Sequence, residues 1–389
     1  MKVKSIRNAK KIAGKRVFLR VDFNVPMKNG KIEDDYKIVA GLSTIRFLLR
    51  YNCKVIIATH LGSPDGKKNS EFSVEPIARR LAKILDVKVL FAESCTGFEA
   101  GTAVGKIKKG EIAFLENLRF EKGEEKNDVK LAKEWASLAD IYVNDAFAVS
   151  HRKHASVSAI KKYLPSYAGL LLGEEIKNLE KIIKPKQPLI SIIGGAKIST
   201  KISFLKKIGR KSFKVLIGGA LANNFFVARK FEVGKSLIDK QSIKLAKSLR
   251  QNNIILPIDV VVSGRSDGKG KVEVKSVPRV NKDETILDIG PKTIRLYASF
   301  IKKAQTIVWN GPMGMFEKKS FKHGTLSVAR LIAARSQGRA FGVVGGGETI
   351  EALKMTKMEN YVDWISTGGG ATLSFLSGEK MPGLKDIVK

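Results

Sequence analysis

Apolar residues recur along this chain in two alternating rhythms. Short runs of strand length give way to segments with an apolar residue every third or fourth position, and the exchange continues from one end to the other. That is the pattern of a parallel sheet flanked by helices, so the class predicted is α/β. In the first half the strand-like runs are RVFLRVDFNVP (16–26), KVIIATHLG (54–62), a weaker VKVLF (87–91), EIAFLENLRF (111–120) and DIYVNDAF (140–147). Between them one helical stripe carries Ile38, Leu42, Ile45 and Leu49, and another carries Ile77, Leu81, Ile84 and Leu85 behind Pro76.

The second half repeats a sharper unit of apolar strand, glycine cluster and helix. It occurs at 189–205, 213–226, 340–353 and 361–376, with TIVWNGPMGMFE (306–317) running from a strand into a glycine-proline loop. In an open α/β sheet such junctions fall at the carboxyl edge, where ligands bind. Each presents backbone N–H groups at a helix start, and the missing Cβ lets a phosphate approach. Several together point to a nucleotide. Lys197 and Lys201 follow the first glycine pair at a spacing that puts both ammonium groups on one helix face. The stretch GEEIKNLEKIIKPKQP (173–188) predicts a helix ended by prolines, and the inter-domain connector is placed there.

Polar residues collect at the ends of the first-half strands. Alternation sets Arg20, Asp22 and Asn24 on one face and Val21, Phe23 and Val25 on the other, just before Pro26. His60, Asn117 and Arg119 stand at comparable ends, and HRKH (151–154) follows a further strand. Basic and amide groups gathered at one sheet edge suit a small phosphorylated carboxylate.

Composition sharpens this picture. The 389 residues allow two domains, 43% are hydrophobic and 28% charged, and no disorder signature appears. With 71 Lys and Arg against 37 Asp and Glu, the formal net charge is +34, which attracts polyanions in general. A basic nucleic-acid-binding protein on a degenerate enzyme scaffold is therefore the alternative reading. The basic residues are spread along the chain, however, with no interleaved aromatic platform. Cys53 and Cys95 are too few for a disulfide framework or a CxxC metal site, which fits a reducing cytoplasm. The basic start lacks the apolar core of a signal peptide and no run of about 18 apolar residues occurs, so a soluble cytoplasmic protein without membrane partners is expected.

The P-loop, the dinucleotide fingerprint, the protein-kinase loop, the nucleophile elbow and the zinc helix are all missing. A reaction that needs neither a protein nucleophile nor a general base is phosphoryl transfer between groups already ionised, where positioning and charge neutralisation supply the catalysis.

Taken in order, RVDFNVP, THLGSPDG, LENLRF, NDAFAVSHRKHAS, GGAKISTKI, DIGPKT, WNGPMGMFE, GGGET and STGGGA closely resemble the phosphoglycerate kinase family over nearly the whole chain. The resemblance implies two doubly wound, Rossmann-like domains facing each other across a cleft. It implies a monomer that moves a phosphoryl group between 1,3-bisphosphoglycerate and Mg-ADP, yielding 3-phosphoglycerate and ATP, with Mg2+ carried by the nucleotide. Residues 1–172 would hold phosphoglycerate and 189–377 the nucleotide, while 173–188 would act as hinge and 378–389 would pack back toward the first domain. No specific nucleic acid is then expected.

Carried over residue by residue, the resemblance assigns Asp22, Phe23, Asn24, Lys37, His60, Leu61, Gly62, Ser63, Arg119 and Arg152 to phosphoglycerate. It assigns Lys197, Lys201, Gly219, Gly290, Glu317, Gly346, Gly347, Glu348 and Thr349 to the nucleotide, with Glu348 acting on the metal. Lys37, Lys201 and Arg152 would be catalytic. The chain departs from the family pattern at four places: Lys37 and Ser63 replace arginines, Glu348 an aspartate and Trp364 a histidine. A lysine keeps the charge but loses the bidentate fork.

Overall fold

A computed structural model of the chain describes all residues except 197–200, 250, 251, 266 and 268. The helix-face relation between Lys197 and Lys201 therefore lies outside the described residues. Two compact units form, Met1–Lys177 with Lys380–Lys389, and Asn178–Glu379.

In the first unit the apolar runs become β1 (Arg16–Arg20), the hairpin strands β2 (Met27–Lys28) and β3 (Lys31–Ile32), β4 (Lys54–Ala58), β5 (Val89–Ala92), β6 (Ile112–Leu115), β7 (Ile141–Asn144) and β8 (Ser166–Ala168). The six main strands are parallel, in the order β5-β6-β4-β1-β7-β8. Helices α1 (Tyr36–Arg50), α2 (Glu75–Leu85), α3 (Gly97–Lys106), the single turn α4 (Lys122–Glu125) and α5 (Val129–Ser137) connect them.

Period-two alternation decides the layering. Val17 and Leu19 of β1 pack with Ile38, Leu42, Ile45 and Leu48 of α1 and Leu81 of α2. Phe18 faces the other way, onto Ala100 and Val104 of α3 and Leu131 and Trp135 of α5. Both faces of the sheet are thus covered, the condition for an all-parallel sheet. The chain leaves β1 toward β4 on one side and returns to β7 on the other, so the topological switch point lies beside the end of β1.

Helix α6 (Leu170–Ile183) spans the division between the units, starting three residues before the predicted connector and ending five before its close. Residues 380–389 belong to the first unit. Lys2 and Lys4 donate backbone hydrogen bonds to Lys389 and Ile387, and the Asn144 amide donates to the Gly383 carbonyl at 3.1 Å.

The second unit repeats the design with β9 (Leu189–Ile193), β10 (Lys214–Ile217), β11 (Ile254–Ile255), β12 (Asp259–Ser263), β13 (Val272–Ser276), β14 (Thr285–Ile289), β15 (Thr306–Asn310), β16 (Phe341–Gly345) and β17 (Trp364–Ser366). Its parallel sheet runs β11-β10-β9-β15-β16-β17. The helical pieces are α7 (Ile202–Phe204), α8 (Gly219–Ala228), α9 (Lys240–Ser248), α10 (Pro291–Ile301), α11 (His323–Ser336), α12 (Gly347–Lys354) and α13 (Gly370–Leu376). The glycine junctions stand at the carboxyl ends of β9, β10, β15, β16 and β17. An antiparallel sheet, β13-β12-β14, has no counterpart in the sequence reading.

Candidate active site

In the first unit the strand-end residues converge. β1 stops at Arg20, but alternation continues to Val25: Val21, Phe23 and Val25 are buried, while Asp22 and Asn24 are half-buried. Phe23 and Leu61 have core side chains, 1% and 4% exposed, so only their backbone is offered to a ligand. The Asn24 Oδ1 accepts the Gly62 N–H at 3.0 Å, tying the end of β1 to the loop after β4. Gly62 has φ +59, and a Cβ there would meet the Phe72 ring at 2.3 Å, so this turn needs glycine.

Cations surround this edge. Lys37 Nζ bonds Asp22 Oδ2 at 2.8 Å. Arg119, 6% exposed, donates to the Gly62 carbonyl at 2.6 Å and reaches Ser63 Oγ at 3.3 Å. Its turn is set by Asn117, which accepts the Arg119 N–H and donates to the carbonyls of Leu61 and Phe72. Arg152 is exposed. Of the buried side-chain atoms without a hydrogen-bond partner among the described residues, two stand at this edge on groups already named: Arg119 Nη2, a donor, and Asp22 Oδ1, an acceptor. Buried polar atoms left open in this way mark where a ligand would bond.

His60 is fixed electrostatically. Burial, with Arg20, Arg119, Lys37 and Arg152 around it, drives its pKa well below the usual histidine range, so the ring is neutral. Arg20 Nη2 lies 3.3 Å from Nδ1, which must then accept, leaving the proton on Nε2. Arg20 itself is 1% exposed and was missing from the site assigned by sequence. Alternation put it on the polar face, but nothing in the sequence shows that this face is roofed over at Arg20.

In the second unit a cavity of about 420 Å³ opens at the carboxyl edge, within the range of small-molecule sites. Ala222, Phe226, Leu237, Leu287, Met313 and Met315 make an apolar slot, and Gly195, Gly219, Glu317 and Glu348 line its polar margin. The slot escaped the sequence reading because its residues come from four segments and each passes for ordinary core. Gly219 has φ +62, and a Cβ would lie 2.6 Å from the Gly195 nitrogen and 2.8 Å from the Pro312 oxygen. Backbone meets backbone there.

Lys201 is 8% exposed and donates to the Gly194 carbonyl. Burial lowers its pKa to about 8, with Glu348 pulling the other way. Gly346 (φ +100) caps α12, and nothing lies within 4 Å of a Cβ built on Gly347. Thr349 and Gly290 stand behind the wall. The Thr349 hydroxyl accepts the Gly311 N–H at 2.7 Å, and Gly290 makes room for the Asp259 carboxylate that caps α10 through Lys292 and Thr293. Lys197 lies outside the described residues.

A cationic cradle in one α/β unit and a glycine-edged, nucleotide-sized slot in another define a phosphotransferase of the two-unit, doubly wound class. A family profile described as phosphoglycerate kinase matches residues 6–379. The chain belongs to the phosphoglycerate kinase family. It is 41% identical over 387 residues to the phosphoglycerate kinase of Pelotomaculum thermopropionicum, covering 97% of each chain. It is 43% identical over 377 residues to that of Moorella thermoacetica, covering 95% of each. Among solved structures, the phosphoglycerate kinase of Coxiella burnetii superposes with a TM-score of 0.85 at 37% identity, over 99% of this chain and 98% of that one. That of Pyrococcus horikoshii gives 0.86 at 34%, over 98% and 97%. None of these relatives supports the nucleic-acid-binding alternative.

Proposed function

We propose that this chain is the glycolytic phosphoglycerate kinase, moving a phosphoryl group reversibly between 1,3-bisphosphoglycerate and Mg-ADP. The observation that carries the reading is the pair of open, buried atoms, Arg119 Nη2 and Asp22 Oδ1, beside a neutral His60. An anion bearing a hydroxyl satisfies both, and His60 Nε2–H, Arg152 and the Asn24 amide nitrogen add donors. Lys37 Nζ, now paired with Asp22, is the cation that would serve developing charge.

In the second unit the apolar slot takes the base, Glu317 the ribose, and the junctions at Gly195, Gly219 and Gly346–Gly347 the phosphates. Lys201 contacts the transferring group. The acyl phosphate is a good donor and the ADP oxygen is already ionised, so no general base is required.

Mg2+ takes oxygen ligands and keeps water and phosphate in most positions, so a nucleotide-borne ion asks for one carboxylate rather than a cage. Glu348, in the first turn of α12 at the cavity margin, fits. No cluster of three His, Cys, Asp or Glu suited to a resident metal occurs among the described residues. When bound, the ion neutralises phosphate charge. No described helix is long and apolar enough to cross a membrane, and a monomer working in the cytoplasm completes the reading. A coupled assay with 3-phosphoglycerate and Mg-ATP tests it: steady turnover is expected, and none from folded protein would refute it.

A further inference from the structure

Behind the acceptor arginines lies a buried polar relay that the roles above leave unused. Glu124, in the single turn α4, is fully buried. Its Oε2 accepts the Ser156 N–H at 2.8 Å, its Oε1 accepts the Ser156 hydroxyl at 2.5 Å, and its carbonyl accepts the Ala155 N–H at 2.8 Å. With its proton given to Glu124, Ser156 Oγ accepts from Arg20 Nε at 2.9 Å. Arg20 also donates from Nη1 to the Val21 carbonyl, and its Nη2 meets His60 Nδ1. The neighbouring Glu125 lies 3.2 Å from Arg119 Nε. One helical turn thus reaches two of the site's arginines from behind and anchors the segment that follows Arg152.

Like charges need such an anchor. Arg20, Arg119 and Arg152 lie close enough for each to depress the proton affinity of His60 and His154, and unanchored guanidinium groups would turn apart. We propose that Glu124, acting through Ser156, is a positioning residue for the acceptor site. It fixes the direction of the Arg20 guanidinium and, through it, the Nε2–H tautomer of His60. This inference rests on the phosphotransferase reading above.

Glu124→Gln separates positioning from charge. Gln keeps the volume, but its Nε2 donates to Ser156 Oγ, reversing the relay, while loss of a negative charge alone would tighten binding of an anion. Ser156→Ala breaks the relay and leaves the charge. The measurements are KM for 3-phosphoglycerate and for ATP, kcat, and 3-phosphoglycerate affinity by calorimetry. Each single variant is expected to raise KM and Kd for 3-phosphoglycerate roughly tenfold with KM for ATP unchanged, and the double variant to be no worse than either. Unchanged or tighter 3-phosphoglycerate binding in Glu124→Gln, or additive single effects, would overturn the relay while wild-type turnover left the reaction intact. Absence of wild-type turnover would remove both. If Glu124→Gln fails to fold, Ser156→Ala decides alone, since it removes only a hydroxyl.

Discussion

Lys201 occupies a place that disfavours its own charge, and pH exposes this. Its pKa is about 8 because burial outweighs Glu348, so nucleotide affinity is expected to fall as pH rises past about 8. Lys201→Arg should flatten that dependence, and titration calorimetry between pH 6.5 and 9.5 checks it. Stability moves oppositely. The folded pKa lies below the unfolded value of 10.5, the unfolded chain binds the extra proton between them, and stability from this group rises with pH through that window. Lys201→Ala should remove most of the turnover, which a rate assay at saturating substrates reads. At Lys37, Ala should lower kcat much more than Arg does, because the position needs a cation before it needs a fork. Equal rates for the two would move that role elsewhere. The gathering of Asp22, Asn24, His60 and Arg119 at one sheet edge was legible in the sequence because basic and amide side chains recur at the ends of several apolar strands. Arg20 and Glu124 were not, since burial of a charge depends on what the fold lays over it.

On the proposed reading helix starts carry the nucleotide half of the site, and substitutions at two glycines separate fold from ligand. Gly219→Ala forces a side chain into left-handed φ and onto backbone atoms that cannot retreat, so thermal stability and nucleotide binding should fall together. Gly347→Ala meets open space at the first position of α12, where Ala is also the better helix former. Its melting temperature should hold or rise while nucleotide affinity drops, and a variant that binds nucleotide normally would remove Gly347 from the phosphate site. The strand-glycine-helix units could be read directly because both period and punctuation are local. The sheet β13-β12-β14 could not. In β13 the sense of the alternation is reversed, with Glu273 and Lys275 half-buried and Val272 and Val274 exposed, so its apolar positions do not mark the packed face.

At the scale of the molecule, the proposed assignment of phosphoglycerate to one unit and nucleotide to the other predicts a closing motion, because in-line transfer needs reacting atoms within about 3–3.5 Å. Small-angle scattering should show the radius of gyration falling most with both substrates, and one value for free, binary and ternary states would refute closure. The +34 charge should raise KM for both anionic substrates as salt screens attraction beyond about 8 Å; salt-independent KM values would limit the charge to a local role. The placement of residues 380–389 in the first unit has a consequence for how the chain is made. Residues 178–379 form an uninterrupted unit that can fold as it leaves the ribosome. The first unit, begun earlier, lacks the Val3–Val388 bridge and the carbonyl that receives Asn144 until residues 383 and 388 emerge. The unit begun first is therefore completed after the second, and a chain cut at residue 379 would keep the whole of the second unit beside a first unit without these two contacts.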